Sequence, residues 1–536
     1  MKIKLAVHVA SILIVLASLI TQCISVHGQS NDHMYSTFIG GSDVDRIHDV
    51  TKDSRGNIIV VGGTFSDDFP LKNAHQGSYG GGVLVEGEHM QNMGDATVMK
   101  FSSSYELLWS TYLGGVDLDC AKNVEVDSHD NIIVVGDTVS TDFPVSDGSS
   151  IISEDGSSFI TRYTPDGDMI DSRIYSPNEV NMIVNIEKDP DGNLVLVGQT
   201  SSQDYYCTDN AFQQELGGES DGFIRVVTED LETILFSTYL GGSQRESINE
   251  LSVDADGSLY VAGFTYSYDF PVTEDCIRPE YLGEERDCFI AKVGPSRNYA
   301  MGTYFGGSDV DDIFGLTYDP FSDTIIVVGR TWSSDFPATS QALQPQYSDV
   351  EVDGFLSQVS AAGDEILYST FYGMNGWDSL LQVNADEMGR LLVSGFVDSG
   401  GFDTVNAFQS EYMGYTEIIV MVWGEEIELV SYLGGYSFEH PYSQYVTDGK
   451  LYLVGQTSSA QFPVTDDAYQ GTLNGAQDGF LWVLDYDAYL SGEHASDSNG
   501  SDSLGPSLRL YLSYGVVIGA IALWYVYVKR SFTGGN

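Results

Sequence analysis

The sequence predicts an all-β fold, a seven-bladed β-propeller, from three observations. An apolar run that ends in glycine recurs along the chain. The closing glycines lie 60 to 74 residues apart, a period typical of repeat architectures, and they are Gly62, Gly136, Gly198, Gly263, Gly329, Gly395 and Gly455. Each period holds four β-rich segments of strand length, and the two ends of the array are incomplete in complementary ways.

One repeat has the layout of one propeller blade. In the first, the four segments are residues 47–53, 57–64, 96–101 and 107–113. An Asp- and Gly-rich turn joins the first two segments, as a tight hairpin requires. The second segment is apolar on both faces, which is typical of a strand packed between neighbouring sheets. Four-stranded units of this kind, repeated radially, form a propeller.

The two ends of the array predict how the propeller closes. The fourth-strand motif YSTFIGG begins at Tyr35 with no first three strands before it. The last set of three strands ends in GFLWVLD, which begins at Gly479, with no fourth strand after it. We therefore expect four-stranded antiparallel blades in which the N-terminal strand completes the C-terminal sheet.

The flanking segments predict a membrane-anchored topology. Lys2 and Lys4 precede an apolar stretch, so residues 1–28 are expected to be a signal peptide, and residues 29–490 the propeller ectodomain. Residues 491–509 are a Gly-, Ser- and Asp-rich linker, residues 510–528 an uncharged stretch long enough for one transmembrane helix, and residues 529–536 a tail that begins Lys529-Arg530. The positive pair predicts a cytoplasmic C-terminus and an extracellular ectodomain on a single-pass protein of the cell membrane.

Composition narrows the function classes. The formal net charge of −55 disfavours nucleic acid and anionic lipid surfaces, and a solvated acidic exterior explains it more simply than a dedicated binding role does. The sequence has no H-E-x-x-H zinc motif and no G-x-S-x-G nucleophile elbow. We therefore expect neither an enzyme nor a bound organic cofactor.

Acidic residues open the innermost strands and form a candidate cation site. They stand two positions before the first apolar residue of each strand, and with the amide Asn181 they are Asp45, Asp119, Glu246, Asp311, Asp378 and Glu439. A ring of oxygen ligands at one opening suits Ca²⁺ or Mg²⁺. The alternative is that each carboxylate caps its own loop by accepting backbone N–H bonds.

Four cysteines remain once Cys23 leaves with the signal peptide, and an oxidising compartment permits three pairings. Cys276 and Cys288 share one loop of the fourth repeat, so we expect them to pair. Cys120 and Cys207 belong to adjacent repeats on one face, and we expect them to form the second disulfide.

The motifs STYLGG, D-x-x-G-N-I-x-V-V-G-x-T, S-x-D-F-P and D-G-F together resemble the SBBP family of β-propeller repeats. The resemblance implies a propeller used for interaction on the cell exterior, and it supplies no catalytic residues. We therefore expect a binding scaffold for an unidentified protein or polysaccharide of the cell envelope, with residues 71–95 as a candidate recognition loop. The alternatives are an extracytoplasmic enzyme that acts on glycans or peptides through the acidic face, and a passive surface-layer component.

Overall fold

The computed structural model of the chain describes residues 33–82, 94–146, 148, 156–175, 181–283, 285–348 and 351–492. The predicted signal peptide, nearly all of the linker, the predicted transmembrane helix and the C-terminal tail lie outside these residues. Within the described ranges, no helix has both the length and the apolar character needed to cross a bilayer.

In the part of the chain that the structure describes, twenty-eight strands form seven four-stranded antiparallel sheets, as predicted. In each sheet strand A is innermost, and the A strands are β2 (Asp45–Lys52), β6 (Asp119–Val126), β10 (Asn181–Lys188), β14 (Glu246–Val253), β18 (Asp311–Asp319), β22 (Ser379–Ala385) and β26 (Glu439–Thr447). The B strands are β3 (Ile58–Thr64), β7 (Ile132–Thr138), β11 (Leu194–Thr200), β15 (Leu259–Thr265), β19 (Thr324–Thr331), β23 (Leu391–Val397) and β27 (Lys450–Thr457).

The outer half of each sheet consists of strands C and D. The C strands are β4 (Asp95–Phe101), β8 (Ser157–Tyr163), β12 (Asp221–Val227), β16 (Asp287–Val293), β20 (Asp353–Ser360), β24 (Glu417–Trp423) and β28 (Asp478–Asp485). The D strands are β1 (Met34–Ile39), β5 (Leu107–Leu113), β9 (Met169–Ile174), β13 (Ile234–Leu240), β17 (Tyr299–Phe305), β21 (Ile366–Tyr372) and β25 (Ile427–Leu433). Blades are numbered from β2–β5 as blade 1 to β26–β28 with β1 as blade 7.

The sheets close into a ring. Each A strand contacts the A strand of the next blade, and β26 of blade 7 contacts β2 of blade 1. The closing blade is built from both ends of the chain, because β1 pairs antiparallel with β28 from Met34 opposite Leu484 to Ile39 opposite Gly479. The predicted closure is therefore confirmed, and the A strands surround a central channel.

The core is divided among the blade interfaces. Seven hydrophobic clusters of described residues each join two neighbouring blades. Since every B strand faces an interface on each side, it is apolar on both faces. The aromatic residue of the S-x-D-F-P motif is buried in this core, as in Phe270, whose ring centroid lies 4.4 Å from that of Phe289.

The two ends of the described chain lie on one face. Met34 begins β1 beside Leu484, and the short helix α1 (Tyr486–Ser491) follows directly after β28. Asp485 caps this helix by accepting the N–H of Ala488 at 3.0 Å, and Gly492 ends it with a positive φ. The A strands begin on the opposite face, which we call the mouth of the channel.

Candidate functional site at the channel mouth

The sequence-predicted carboxylates all lie at the mouth, where each opens or directly precedes its A strand. Each of them is completely buried, as is Asn181 in blade 3. Asp311 shows the common pattern, since it accepts the N–H of Gly307 at 2.6 Å and the hydroxyl of Ser333 at 3.1 Å. These bonds tie the D–A loop to the end of strand B within one blade.

The other blades repeat this arrangement. The carboxylate accepts a loop N–H four residues earlier in Asp45 (from Gly41, 2.7 Å), Asp119 (from Gly115, 2.7 Å), Glu246 (from Gly242, 2.9 Å) and Asp378 (from Met374, 2.7 Å). Glu439 accepts the hydroxyl of Thr457 at 3.0 Å. These are the bonds of the capping alternative, and they give every one of the six carboxylates a role inside its own blade.

Burial shifts the titration of this ring towards neutral pH. It raises the pKa of Asp45, Asp119, Asp311 and Asp378 to about 7, although hydroxyl or backbone N–H donors pull each pKa back down. Burial also raises the pKa of Glu439 to about 7. Desolvation disfavours the charged form, so the ring takes up protons in the range where exposed carboxylates are fully ionised.

A second set of hydrogen-bonded residues was missed at the sequence level. A glutamine in the B–C loop of five blades bridges the C-strand acid to the D–A loop, and these residues are Gln76, Gln213, Gln344, Gln409 and Gln470. In blade 3, Gln213 donates to Asp221 at 2.6 Å and accepts the N–H of Gly241 at 2.9 Å. The sequence carries a signal for these residues, because each of the five glutamines ends an Ala-x-Gln motif in its B–C loop. In blade 4, Arg278 stands where these five blades have the glutamine.

The predicted cation site has no support in the arrangement of these side chains. Among the described residues, no three His, Cys, Asp or Glu side chains come close enough together to hold a metal ion. The bonds of the ring carboxylates to backbone N–H groups and hydroxyls are those expected of capping residues.

Neither predicted disulfide is formed, and the four cysteines among the described residues are free thiols. The Cys120 Sγ lies 3.1 Å from Nδ1 of His48 in blade 1, so it is turned away from Cys207 in blade 3. The buried Cys288 thiol donates to the backbone oxygen of Asp311 in the next blade at 3.0 Å, which leaves Cys276 alone in its loop. Pairing by shared loop or adjacent repeat was wrong because strand alternation turned these side chains into blade interfaces.

Next to the buried ring, each blade places one cross-strand pair whose composition varies around the ring. One member follows the ring residue, and the other lies between the glycine and threonine of the G-x-T motif. The pairs are Arg46–Gly63, Cys120–Asp137, Met182–Gln199, Ser247–Phe264, Asp312–Arg330, Ser379–Phe396 and His440–Gln456. Because strand B ends at the mouth, the composition of the mouth varies around the ring, although blades 4 and 6 carry the same Ser–Phe pair.

Blades 4 to 6 meet at the mouth in a cluster of arginines and aromatic rings. Asp312 accepts from Arg330 through Nε at 3.0 Å and Nη2 at 2.9 Å, and Arg286 of blade 4 also donates to it. The Arg330 guanidinium lies 4.8 Å from the ring centre of Trp332 and 5.8 Å from that of Trp377 in blade 6. Burial would lower the pKa of Arg286, but the Asp312 carboxylate raises it, so the Arg286 guanidinium remains charged.

Contacts continue around the mouth through blades 6, 7 and 1. The ring of Phe396 lies 5.1 Å from that of His440, and the ring of Tyr442 lies 4.8 Å from that of His48. Burial lowers the pKa of His440 to about 4 and of His48 to about 3, so both imidazoles are neutral at physiological pH. This side of the mouth is aromatic, and the nearby Arg46 contributes to keeping both imidazoles neutral.

Further along the channel, carboxylates join neighbouring A strands. Asp49 accepts the N–H of Val124 in blade 2 at 2.8 Å, and Glu187 accepts the N–H of Val253 in blade 4 at 3.0 Å. Burial raises the pKa of Asp49 to about 6, and burial together with the nearby Glu125 raises that of Glu187 to about 8. These groups stabilise the seams between blades and lie below the mouth.

Two other features lie away from the mouth cluster. A cavity of about 470 Å³ lies at the closure of the ring, where Tyr35 and Tyr105 stack with centroids 3.8 Å apart. The candidate recognition loop of blade 1 is described only in part, since residues 83–93 lie outside the described ranges. The described portion of this loop is bonded to the sheet of its own blade, because Gly80 donates its N–H to Asp95 of strand C at 2.8 Å.

Comparison with known proteins gives a fold-level likeness only. No family model and no curated protein matches the chain. The selenomethionine-substituted virginiamycin B lyase from Staphylococcus aureus is similar with a TM-score of 0.40 at 10% identity, covering 84% of this chain and 98% of the lyase. A catalytically inactive variant of that lyase with quinupristin gives 0.39 at 10%, covering 84% and 99%. Quinohemoprotein alcohol dehydrogenase from Comamonas testosteroni gives 0.37 at 9%, covering 88% and 78%.

At these identities and TM-scores the solved structures carry no argument about activity. The resemblance to SBBP-type repeats stays a prediction, since no family model matches.

Proposed function

We propose that this protein is a non-enzymatic binding scaffold of the cell exterior, which recognises a protein or polysaccharide of the envelope at the channel mouth. The observation that carries the proposal is the contrast within each repeat. The buried carboxylate is retained in six blades, whereas the adjacent G-x-T position is Gly, Asp, Gln, Phe, Arg, Phe and Gln in blades 1 to 7. A rigid frame that presents variable side chains on one face is a general solution for recognition.

The alternative, an extracytoplasmic enzyme acting on glycans or peptides through the acidic face, has less support. Its candidate acids would be the ring carboxylates, and all six are completely buried. A general acid or base must come within hydrogen-bond reach of the proton that it transfers. Asp311 already bonds to Gly307 and Ser333.

Membrane anchoring is part of the proposal and rests on the uncharged stretch of residues 510–528 and on Lys529-Arg530. The described chain ends at Gly492, on the face opposite the mouth. A protease added to intact expressing cells should remove an N-terminal epitope and leave a C-terminal epitope protected. Protection of both epitopes would contradict the topology.

The binding role is tested with the full-length protein and isolated cell envelopes. We expect Arg330→Ala combined with Trp377→Ala to reduce envelope binding about tenfold or more, since both residues lie in the mouth cluster. Phe321→Ala is the matched control, because Phe321 is 77% exposed but lies in an A–B turn, on the opposite face. Equal binding by the double variant and the wild type would contradict a role for the mouth.

A further inference from the structure

The aromatic surface of the mouth is concentrated on blades 4 to 6. Trp377 is 43% exposed, and its ring meets that of Trp332 edge-on with centroids 6.2 Å apart. Tyr268 is 72% exposed and leans on Tyr281, with centroids 4.5 Å apart. Tryptophan and tyrosine present flat apolar faces with a polar edge, and they lose little conformational entropy when they bind.

Arginine donors lie among these rings. Arg245 is exposed above the ring of Tyr266, at 5.9 Å from its centre. Arg286 and Arg330 share Asp312, and the described bonds of Arg330 to this carboxylate use only Nε and Nη2. The second terminal nitrogen of the Arg330 guanidinium is therefore left for another acceptor.

Carboxylate acceptors alternate with these donors along the rim. Asp269 and Asp335 are exposed, and each uses Oδ1 to accept a loop N–H at 2.9 Å. Asp398 accepts the N–H of Trp377 through Oδ1 at 2.7 Å. In each of the three, the described hydrogen bonds leave Oδ2 for a further donor.

Donors and acceptors of opposite charge, set between flat apolar rings, restrict the chemistry of a ligand. An anionic ligand would be attracted by the arginines but repelled by the aspartates, and a cationic ligand would meet the reverse. A polyanion would also be repelled by the net charge of −55 on the protein. A sugar hydroxyl donates and accepts at the same time, and a sugar ring offers an apolar C–H face to an aromatic plane. Uncharged, hydroxyl-rich ligands therefore match the surface best.

We propose that the mouth surface of blades 4 to 6 binds an uncharged oligosaccharide, with Trp332 and Trp377 as stacking platforms and Arg330 and Asp398 as hydrogen-bonding partners. This inference rests on the proposed binding function and names its ligand class. Internal packing around Arg330 accounts for the position of Trp332, but it leaves the exposed face of Trp377 and the exposed Tyr268 without a structural role.

The full-length protein is tested by calorimetry against neutral tetrasaccharides of glucose, mannose, galactose and N-acetylglucosamine. A galacturonate tetramer, a sulfated glycan and an acidic peptide are titrated in parallel. We expect binding of at least one neutral sugar, weakened about tenfold or more by Trp377→Ala. Tyr206→Ala is the matched control and should bind as the wild type does, since Tyr206 is 59% exposed in the B–C loop of blade 3, on the other half of the same face.

Three results would overturn the inference: no binding of any neutral sugar at millimolar concentration, binding restricted to the charged probes, or neutral-sugar binding that Trp377→Ala leaves unchanged. Envelope binding by the same variants separates this failure from failure of the proposed function. If Trp377→Ala weakens envelope binding while no neutral sugar binds, the mouth remains the recognition face and the ligand belongs to another class. If neutral-sugar binding does not respond to Trp377→Ala and the double variant with Arg330→Ala also binds envelopes as the wild type does, both proposals fail.

Discussion

The buried ring and the mouth surface are neighbours in every blade, yet their side chains make different kinds of contact. Asp311 and Asp312 are adjacent in sequence, but the Asp311 carboxylate accepts from its own D–A loop, whereas the Asp312 carboxylate joins arginines from two blades. The alternation of side chains along a strand separates them, since successive residues point to opposite faces. One residue therefore maintains the blade, and the next is free to vary.

This contrast explains how the repeat tolerates variation at its mouth. The ring residue satisfies loop N–H groups that would otherwise be buried without partners, so its loss leaves several donors unsatisfied. The Arg330 side chain instead donates to the side chain of Asp312, so exchanging Arg330 leaves these backbone hydrogen bonds of the blade in place. Stability and recognition should therefore respond to different substitutions.

The largest effect is expected from removing the closing strand. Deletion of residues up to 39 takes away the buried Tyr35, Phe38 and Ile39 and leaves blade 7 with three strands. Each buried side chain contributes about 1.5–3 kcal/mol, and whole domains are stable by only about 5–15 kcal/mol. We expect circular dichroism to show no cooperative unfolding transition, and a peptide of residues 33–41 to restore it. A cooperative transition without the strand would contradict closure by β1.

The next largest effect is expected in the ring. Asp311→Ala removes acceptors for the N–H of Gly307 and the hydroxyl of Ser333 and should lower the free energy of unfolding by about 3 kcal/mol. Urea denaturation measures the loss. Asp309→Ala is the control, because Asp309 is exposed two positions earlier, and it should change stability by less than about 0.5 kcal/mol. Similar losses of stability in both variants would contradict the distinction between the buried ring and the exposed loop residues.

The ring also predicts a pH dependence with a definite sign. The pKa of Asp45, Asp119, Asp311, Asp378 and Glu439 is about 7 in the folded protein, above the ordinary values of 3.8 and 4.5. Between these limits the folded state binds more protons than the unfolded state, so stability falls as pH rises towards 7.

The free energy of unfolding, measured by urea denaturation from about pH 5 to pH 8, should therefore decrease with pH, by up to about 1.4 kcal/mol per pH unit for each proton. Asp311→Asn should reduce this slope by the contribution of up to one proton, while Asp309→Asn should leave the slope unchanged. Stability that rises with pH in this range would contradict the assignment.

A smaller effect is expected from the bridging glutamines. Gln409→Ala removes bonds to Glu417 and to the N–H of Gly434, which should lower the free energy of unfolding by about 1–2 kcal/mol. Thermal denaturation measures this loss. In blade 4 the natural residue is Arg278, and Arg278→Gln should change stability by less than about 1 kcal/mol, because Gln restores the bridge of the other blades.

The smallest stability effect is expected at the mouth. Trp377→Ala should alter the free energy of unfolding by less than about 1 kcal/mol, because the ring is 43% exposed, although we expect a large effect on binding. Urea denaturation measures the stability of this variant beside that of Asp311→Ala. If Trp377→Ala lowered the free energy of unfolding as much as Asp311→Ala does, Trp377 would have a structural role like that of the ring residues.

Much of the fold was predictable because short local sequence patterns specify it. The Gly-terminated apolar runs identified the B strands, and the unpaired motif at Tyr35 predicted the closure by β1. The disulfides were predicted wrongly for a physical reason. The directions of Cys120 and Cys288 depend on the strand face, which loop membership does not reveal.

The candidate site was predictable only in part. The ring positions were identified from their offset before the A strands, but spacing could not decide between metal ligation and capping. That choice depends on where loop N–H groups lie relative to each carboxylate. The mouth cluster was not identified, because Arg286, Arg330 and Trp377 belong to three different blades and come together only when the ring closes.

The sequence by itself determined the number of blades, the order of strands and the pairing of the two chain ends, because each follows from short periodic patterns and turn residues. Only the tertiary structure decided that the six acidic side chains are buried caps and that arginines and aromatic rings of blades 4 to 6 share one surface. Those properties depend on distances between blades, which arise when hydrophobic packing closes the ring.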